Sequence, residues 1–388
     1  ILMGNTNEQK RQKLYSVTGS ISGLLGSFRM AEVAMRYSEF VPRLYNLTKS
    51  LGFAQGKIMP SRAFCSDESQ GYPIILIAKH FGTFPFNHGR VGGVISTERH
   101  GPHAHHGQDL VIIHASHVGY DPKSGIYGVY RRLQTTEQDQ SLCCGKICAT
   151  LGWYLDEYRF AKENTFIIKH GDEYRIAIDN QLLHPERKEG LILKLNRLIK
   201  QAVAGELHPL VSLSTSKVFA ASEELIAKLQ GQPWAENETR PMGDWLTSDL
   251  FIFRRVSDDR MDRNLIDAMP FIVTSDWPAL TAAQVNTQVE FDRSYRSILK
   301  EPEYRDKNLL FISGLNVDIS PEPGQLFPLT KFIPWAAYHQ SRDGNHQTWE
   351  QDELHERILS QPKGNPDQVH LEDAIHTMKE VQEIKLPF

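Results

Sequence analysis

The residues best suited to chemistry in this chain are cysteines and histidines placed where local elements begin or end. Cys65 closes the apolar step Ala63-Phe64 and opens the polar turn Ser66-Asp67-Glu68. His114 and His117 follow Leu110-Val111-Ile112-Ile113, a run with the composition of a buried strand. Cys143 and Cys144 precede Gly145 and a segment with helical periodicity. A thiol there meets the free N–H groups and positive end of a helix, which favour a thiolate. Thiolate and imidazole are ligands that zinc takes in a tetrahedron, and a catalytic site leaves one position for water. Cys65, one of the two histidines and one of the paired cysteines would leave that opening. Their spacing is too wide for a local knuckle, so the fold has to gather them.

Two choices stay open at this level. Alternation along a strand lets it present either histidine. We prefer His117, because Gly119 and Asp121 place it at a strand end, where loops carry chemistry. Cys144 is preferred over Cys143 because it stands next to Gly145 and the helix start, and Cys148 reads as core. Other chemistries fall away. His184-Pro185-Glu186 is half of a deaminase signature, but no Pro-Cys-x-x-Cys follows it. His-Glu-x-x-His is absent, as is a phosphate-cradling loop. Gly89-Arg90-Val91-Gly92-Gly93 is no dinucleotide fingerprint, but glycines there let backbone approach a ligand closely.

The elements that must position these groups alternate between strand and helix. Leu14, Val17, Ile21, Leu24, Leu25 and Phe28 form one helical stripe, and Ser38 could cap a second helix ending near Gly52. Residues 74–80 fit either a strand or a helix. A helix is expected from Ile147, strands at 166–168 and 174–178, and helices at 186–203 and 216–229. Beyond them come strands at 250–253 and 271–274, a helix at 280–299, a strand at 309–312, a loose polar stretch at 340–368 and a last helix near 371–384. This alternation implies an α/β architecture. An apolar fraction of 40% supports a packed core, and a net charge of −4 gives no general attraction to nucleic acid or anionic membrane. No apolar run nears the roughly 18 residues of a membrane span. Four cysteines, three of them between 143 and 148, do not resemble a disulfide framework. Reduced thiols fit a cytoplasmic compartment, with a trimmed targeting segment left open.

Ordered motifs carry a resemblance. Leu51-Gly52-Phe53, Phe64-Cys65-Ser66-Asp67-Glu68, Phe86-x-x-Gly89-x-x-Gly92-Gly93, His117-Val118-Gly119, Gly128-Val129-x-Arg131-Arg132 and Cys143-Cys144-Gly145 occur in that order. Together they resemble the limiting-CO2-inducible protein B/C family, a branch of the β-type (also called θ) carbonic anhydrases, over residues 30–225. The resemblance implies a mostly parallel sheet flanked by helices, like that of β-carbonic anhydrases, working as a homodimer. It implies Zn2+ held by Cys65, His117 and Cys144, and reversible hydration of CO2 to bicarbonate. Asp67 takes the place of the carboxylate in the family's Asp-Arg pair. The wider β class has arginine four residues after the first cysteine, where Ser69 stands here. Arg90 on the glycine-rich loop is the first substitute, and Arg62 the other. His80, His88 and the histidines at 100–106 are candidates for a proton relay. Residues 8–229 are then expected to form the zinc domain, with 230–388 a C-terminal extension that continues the sheet or forms its own lobe. The alternative from another class is a zinc-binding but inactive regulatory or scaffold protein of this fold.

Overall fold

The structure is a computed structural model that describes residues 28–97, 108–132, 140–183, 187–201, 205–325 and 327–387. The expected stripe from Leu14 to Leu25, the histidines at 100–106 and His184 lie outside the described residues. The chain forms two compact units, residues 1–146 with 283–388, and residues 147–282. The stretch 230–388 is therefore divided: its first part belongs to the second unit and the remainder to the first.

The first unit contains α1 (Tyr37–Ser50), β1 (Ile58–Ala63), α2 (Gly71–Phe81), β2 (Asp109–Asp121) and β3 (Val129–Arg131), in that order. Then come the helix α3 (Gly145–Glu163), of which Gly145 and Lys146 belong here, and α4 (Pro278–Lys300) from residue 283 onward. The long strands β4 (Leu309–Ile319) and β5 (Leu329–Gln340) follow. A mixed eight-stranded sheet is built in the order Met35–Arg36, β5, β4, β2, β1, Phe86–Asn87, with His346–Trp349 beside β5 and Ile126–Tyr127 beside β2. Its centre, from β4 through β2 and β1 to Phe86–Asn87, is parallel. β5, Met35–Arg36, His346–Trp349 and Ile126–Tyr127 pair antiparallel. The reason lies in composition. β2 and β4 are nearly continuous apolar runs, buried along both faces, which suits the middle of a parallel sheet. Pro334, which has no N–H to donate, falls where the β4–β5 register shifts beside Gly314. A Cβ on Gly314 would stand 2.5 Å from the carbonyl oxygen of Ile333, so only glycine lets the two backbones approach this closely.

α1 covers the sheet with Tyr37, Phe40, Val41 and Leu44, and the Phe40 ring stacks on Phe332 at 4.0 Å. Ser38 is not its cap: the helix begins two residues earlier than such a cap would start it, with Arg36 at the N-cap, because Met35–Arg36 pairs with β5 and runs straight into it. Residues 74–80 resolve as helix α2, closed by Gly82 in the left-handed conformation. The stretch 340–368 holds more order than its polarity suggests. It contains His346–Trp349 and a helix at Gln351–Leu359, whose Leu354 and Ile358 join the core with Trp349. Three apolar side chains anchor that segment, too few to raise a periodic signal. Among the described residues, no helix is long and apolar enough to cross a membrane.

The second unit carries an antiparallel five-stranded sheet in the order Val211–Ser212, Ser216–Ala220, Glu173–Asp179, Thr165–His170, Thr239–Pro241. A separate pair joins Gly190–Leu193 to Phe251–Arg254. The helices expected at 186–203 and 216–229 each open as a strand, because Leu191 and Val218-Phe219 find cross-strand partners that short apolar runs do not announce. The strand expected at 271–274 is part of the helix Met269–Thr274, with Pro270 in its first turn.

His80 on α2 gives this unit-one core a pH signature. It is buried, and Asn365 donates its side-chain N–H to His80 Nδ1 at 3.2 Å. Burial, with Lys79 alongside, lowers its pKa from 6.5 to about 4. The folded state holds the ring neutral while the unfolded chain protonates it below 6.5, so stability is full above that pH and falls as the pH drops towards 4. Between pH 7 and pH 5 the loss is about 2 kcal/mol. Urea titrations at the two pH values should show a stability loss larger by about this amount in the native protein than in His80→Gln. An equal slope in both proteins would refute it.

Candidate metal centre

Three chain segments meet at one end of the parallel strands. Cys65 lies just past β1, in a turn that leads to a short 3-10 helix whose N-cap is Asp67. His117 sits within β2, and Cys144 immediately precedes α3. The ligand atoms of Cys65, His117 and Cys144 all lie within 4.8 Å of one another, and all three residues are buried. The two sulfurs are 4.0 Å apart. His117 is not at a strand end as expected, since β2 continues to Asp121 with β4 paired alongside up to Tyr120. His114 is otherwise engaged: Nε2 donates to the Gly93 carbonyl at 2.9 Å and Nδ1 faces Ser313 Oγ at 2.7 Å.

The two nitrogens of His117 have different surroundings. Nδ1 stands 2.8 Å from Asp318 Oδ2 and 3.7 Å from Cys143 Sγ. Nε2 is buried and has no hydrogen-bond partner among the described residues. Asp318 comes from β4, and its oxygens accept from Ser69 Oγ at 2.9 Å, Gln70 Nε2 at 2.8 Å and Thr330 Oγ1 at 2.8 Å. Behind it, Asn316 Nδ2 donates to Gln70 Oε1 at 2.7 Å, and Tyr37 Oη donates to Asn316 Oδ1 at 2.7 Å. An overlapping donor set, Asp67, His117 and Cys143, is also close enough to hold a metal ion.

The glycine-rich loop approaches a sulfur. Gly92 N–H donates to Cys65 Sγ at 3.1 Å, and Gly92 and Gly93 take φ values of 85° and 69°, which favour glycine. A Cβ on Gly93 would stand 2.7 Å from the Ala115 carbonyl, backbone against backbone. Asn286 of α4 holds the loop by donating to the Gly92 carbonyl at 3.4 Å.

The electrostatics of the site favour a thiolate. Contact with Cys144 and the nearness of His117 and Gly92 N–H lower the Cys65 pKa to about 3, against the opposing effect of burial. The same contact, with burial, pushes Cys144 up. Burial alone dominates at Cys143, raised to about 12. For His117, burial works downward, but Cys144, Asp318 and Cys143 together raise it well above its usual value.

Asp67 has an arginine partner, and it is Arg132, whose Nη2 lies 3.4 Å from Oδ1. Arg132 follows β3, stacks over the Tyr130 ring at 4.5 Å and also bonds Glu68. Arg90 is exposed on the hairpin that pairs Gly89–Arg90 with Val94–Ile95, and Arg62 is half-buried on β1. At Glu68 burial is outweighed by Asp67, Arg132 and Tyr130, which hold it at about 2. Asp67, by contrast, is raised to about 6 by burial and by Glu68. His80 and His88 are both buried; His88 Nδ1 is bonded to Ser61 Oγ.

Sequence reasoning passed over Asp318, Gln70 and the role of Arg132. Asp318 had a visible signal: Asn316 and Asp318 are polar residues inside an apolar strand, and buried polar groups need partners.

Among known proteins, residues 34–245 match the family model of limiting CO2-inducible proteins B/C beta carbonic anhydrases. That is more than half of the chain, and the chain belongs to this family. Similar solved structures include PtLCIB4, a homolog of the limiting CO2-inducible protein LCIB, at 12% identity over 86% of this chain and 99% of that one, with a TM-score of 0.47. LCIB itself is similar at 12% identity over 82% of this chain and 95% of that one, with a TM-score of 0.40. No curated protein matches the chain.

Proposed function

We propose that the chain is a zinc-dependent carbonic anhydrase, a lyase that interconverts CO2 and bicarbonate. The observation that supports this most is His117 Nε2, a buried nitrogen without a hydrogen-bond partner among the described residues, on a residue grouped with two cysteine sulfurs. Cys65, His117 and Cys144 fit zinc in donor chemistry, and three protein ligands are what catalytic zinc sites use. When bound, zinc would supply hydroxide by lowering the pKa of water, less strongly with two thiolate ligands than with three histidines. The chain's own residues would do the rest. Asp67 accepts the hydrogen bond of the attacking hydroxyl and so orients it towards CO2. Its Oδ1 is held by the Ser69 N–H and by Arg132, each at 3.4 Å, which limits the carboxylate's rotation. Arg132 also offsets the negative charge of Asp67 and Glu68, its two carboxylate neighbours.

The reading carries with it a homodimer in the cytoplasm. The resemblance supports the first, and cysteines that form no disulfide among the described residues suit the second. One observation favours the inactive zinc-binding scaffold instead: Arg132 makes its shorter contact with Glu68 rather than with Asp67. Stopped-flow CO2 hydration on protein of measured zinc content separates the two. One zinc per chain with a rate above buffer supports the enzyme, zinc without a rate supports the scaffold, and absence of zinc removes both.

A further inference from the structure

We propose that Asp318 is the positioning residue that fixes which nitrogen of His117 faces the cysteine sulfurs. It holds the proton on Nδ1, so that the lone pair on Nε2 is the one offered to a metal. The inference rests on the zinc reading of the Cys65, His117 and Cys144 site. It concerns a residue on β4, outside the span of the family match.

Sheet register brings the two groups together. Asn316 pairs with His117 across the parallel β4–β2 contact, and Asp318 lies two residues further along the same face. Asp318, His117, Asn316 and Gln70 are each fully buried, so every polar atom among them needs a partner inside the protein. A carboxylate has only acceptors to offer, and this makes each neighbour of Asp318 a donor. The polarity then runs one way through the network. Tyr37 donates to Asn316 Oδ1, which leaves Asn316 Nδ2 to donate to Gln70 Oε1. Gln70 must then point Nε2 at Asp318; the reversed amide would set two N–H groups against each other at Asn316. Gln70 Nε2, 3.3 Å from His117 Nδ1, cannot accept a proton from it. The acceptor left for Nδ1–H is Asp318 Oδ2 at 2.8 Å.

A consequence follows for the overlapping donor set of Asp67, His117 and Cys143. Cys143 lies on the Nδ1 side, 3.7 Å from that nitrogen, so a metal held there would need the Nδ1 lone pair. Asp318 denies it, and thereby selects Cys65 and Cys144 over Asp67 and Cys143. Outer-shell carboxylates on ligand histidines change metal affinity by roughly 10- to 100-fold when removed.

The test uses the full chain and metal ions alone. Zinc affinity is measured by competition with a chromophoric chelator for wild type, Asp318→Asn and Cys144→Ser. Asp318→Asn is expected to bind zinc roughly 10- to 100-fold more weakly, with nitrogen scattering reduced in its zinc X-ray absorption spectrum. Wild-type affinity within twofold and an unchanged nitrogen shell in that variant would overturn the proposal. Wild-type protein supplies a second readout that does not depend on the variant folding. With 15N-labelled histidine and cadmium-113 bound, the metal should couple to Nε2 of His117, with a slowly exchanging proton on Nδ1. Coupling to Nδ1 would equally overturn it. Zinc binding that survives Cys144→Ser unchanged would instead defeat the underlying site, a separate failure.

Discussion

Cys144→Ser is expected to abolish stoichiometric zinc binding and, with it, CO2 hydration. The substitution keeps the size of a buried side chain, so the lost ligand rather than lost packing should dominate. Thiolate sites release roughly 10–16 kcal/mol on binding zinc, which over three or four ligands is about 3–5 kcal/mol each. Removing one should therefore weaken binding by at least about 100-fold. Dialysis against a chelator, followed by metal analysis, reads the loss directly. Stability should fall too, because an ion that binds the folded state at 100 times its Kd contributes about 2.7 kcal/mol. Cys143→Ser is the informative contrast. Its sulfur faces Nδ1 and Asp318 rather than the orphan nitrogen, so zinc should stay. If Cys143→Ser loses the metal and Cys144→Ser keeps it, the ion belongs to the other donor set and the proposed site is wrong.

The second large effect is expected at Arg132. Arg132→Ala leaves Asp67 and Glu68, two neighbouring carboxyl groups, without the guanidinium that spans them. Asp67 is then free to rotate or to share a proton with Glu68. Misplacing an orienting group by about 1 Å costs on the order of 100-fold in rate, and kcat/KM for CO2 hydration should fall by about that much. Folding stability should change by about 1 kcal/mol or less, because the arginine is partly open to solvent. Arg90→Ala, on an exposed hairpin residue, should change kcat/KM by less than about twofold. The reverse ranking would return the catalytic role to Arg90 and leave Arg132 a surface brace.

These two arginines illustrate how far the sequence could be read. Both stand in motifs that carry the family resemblance, and nothing in either motif says which one reaches Asp67. Arg132 is 65 residues from Asp67, and the separation closes only because the segment bearing β3 folds back beside the Cys65 turn. His117 shows the same division. Its apolar surroundings marked a buried strand, but they could not show that β2 runs on past it to Asp121. Elements with strong local patterns, such as α3 and α4, were legible. Elements that depend on a partner, such as Gly190–Leu193 and Ser216–Ala220, carry local patterns that read as helix.

By itself the sequence determined the donor types: two cysteines at element ends, a histidine within an apolar strand run, a glycine pair able to take positive φ, and apolar runs long enough for a central sheet. These follow from side-chain chemistry and from periodicity over a few residues, which act wherever the chain goes. Only the tertiary structure decided which arginine meets Asp67, which nitrogen of His117 stays unpartnered, and that Asp318, 201 residues away, stands against the other. Those outcomes depend on strand order and register, set by burial of β2 and β4 side by side, and no local stretch of chain encodes a pairing made at that distance.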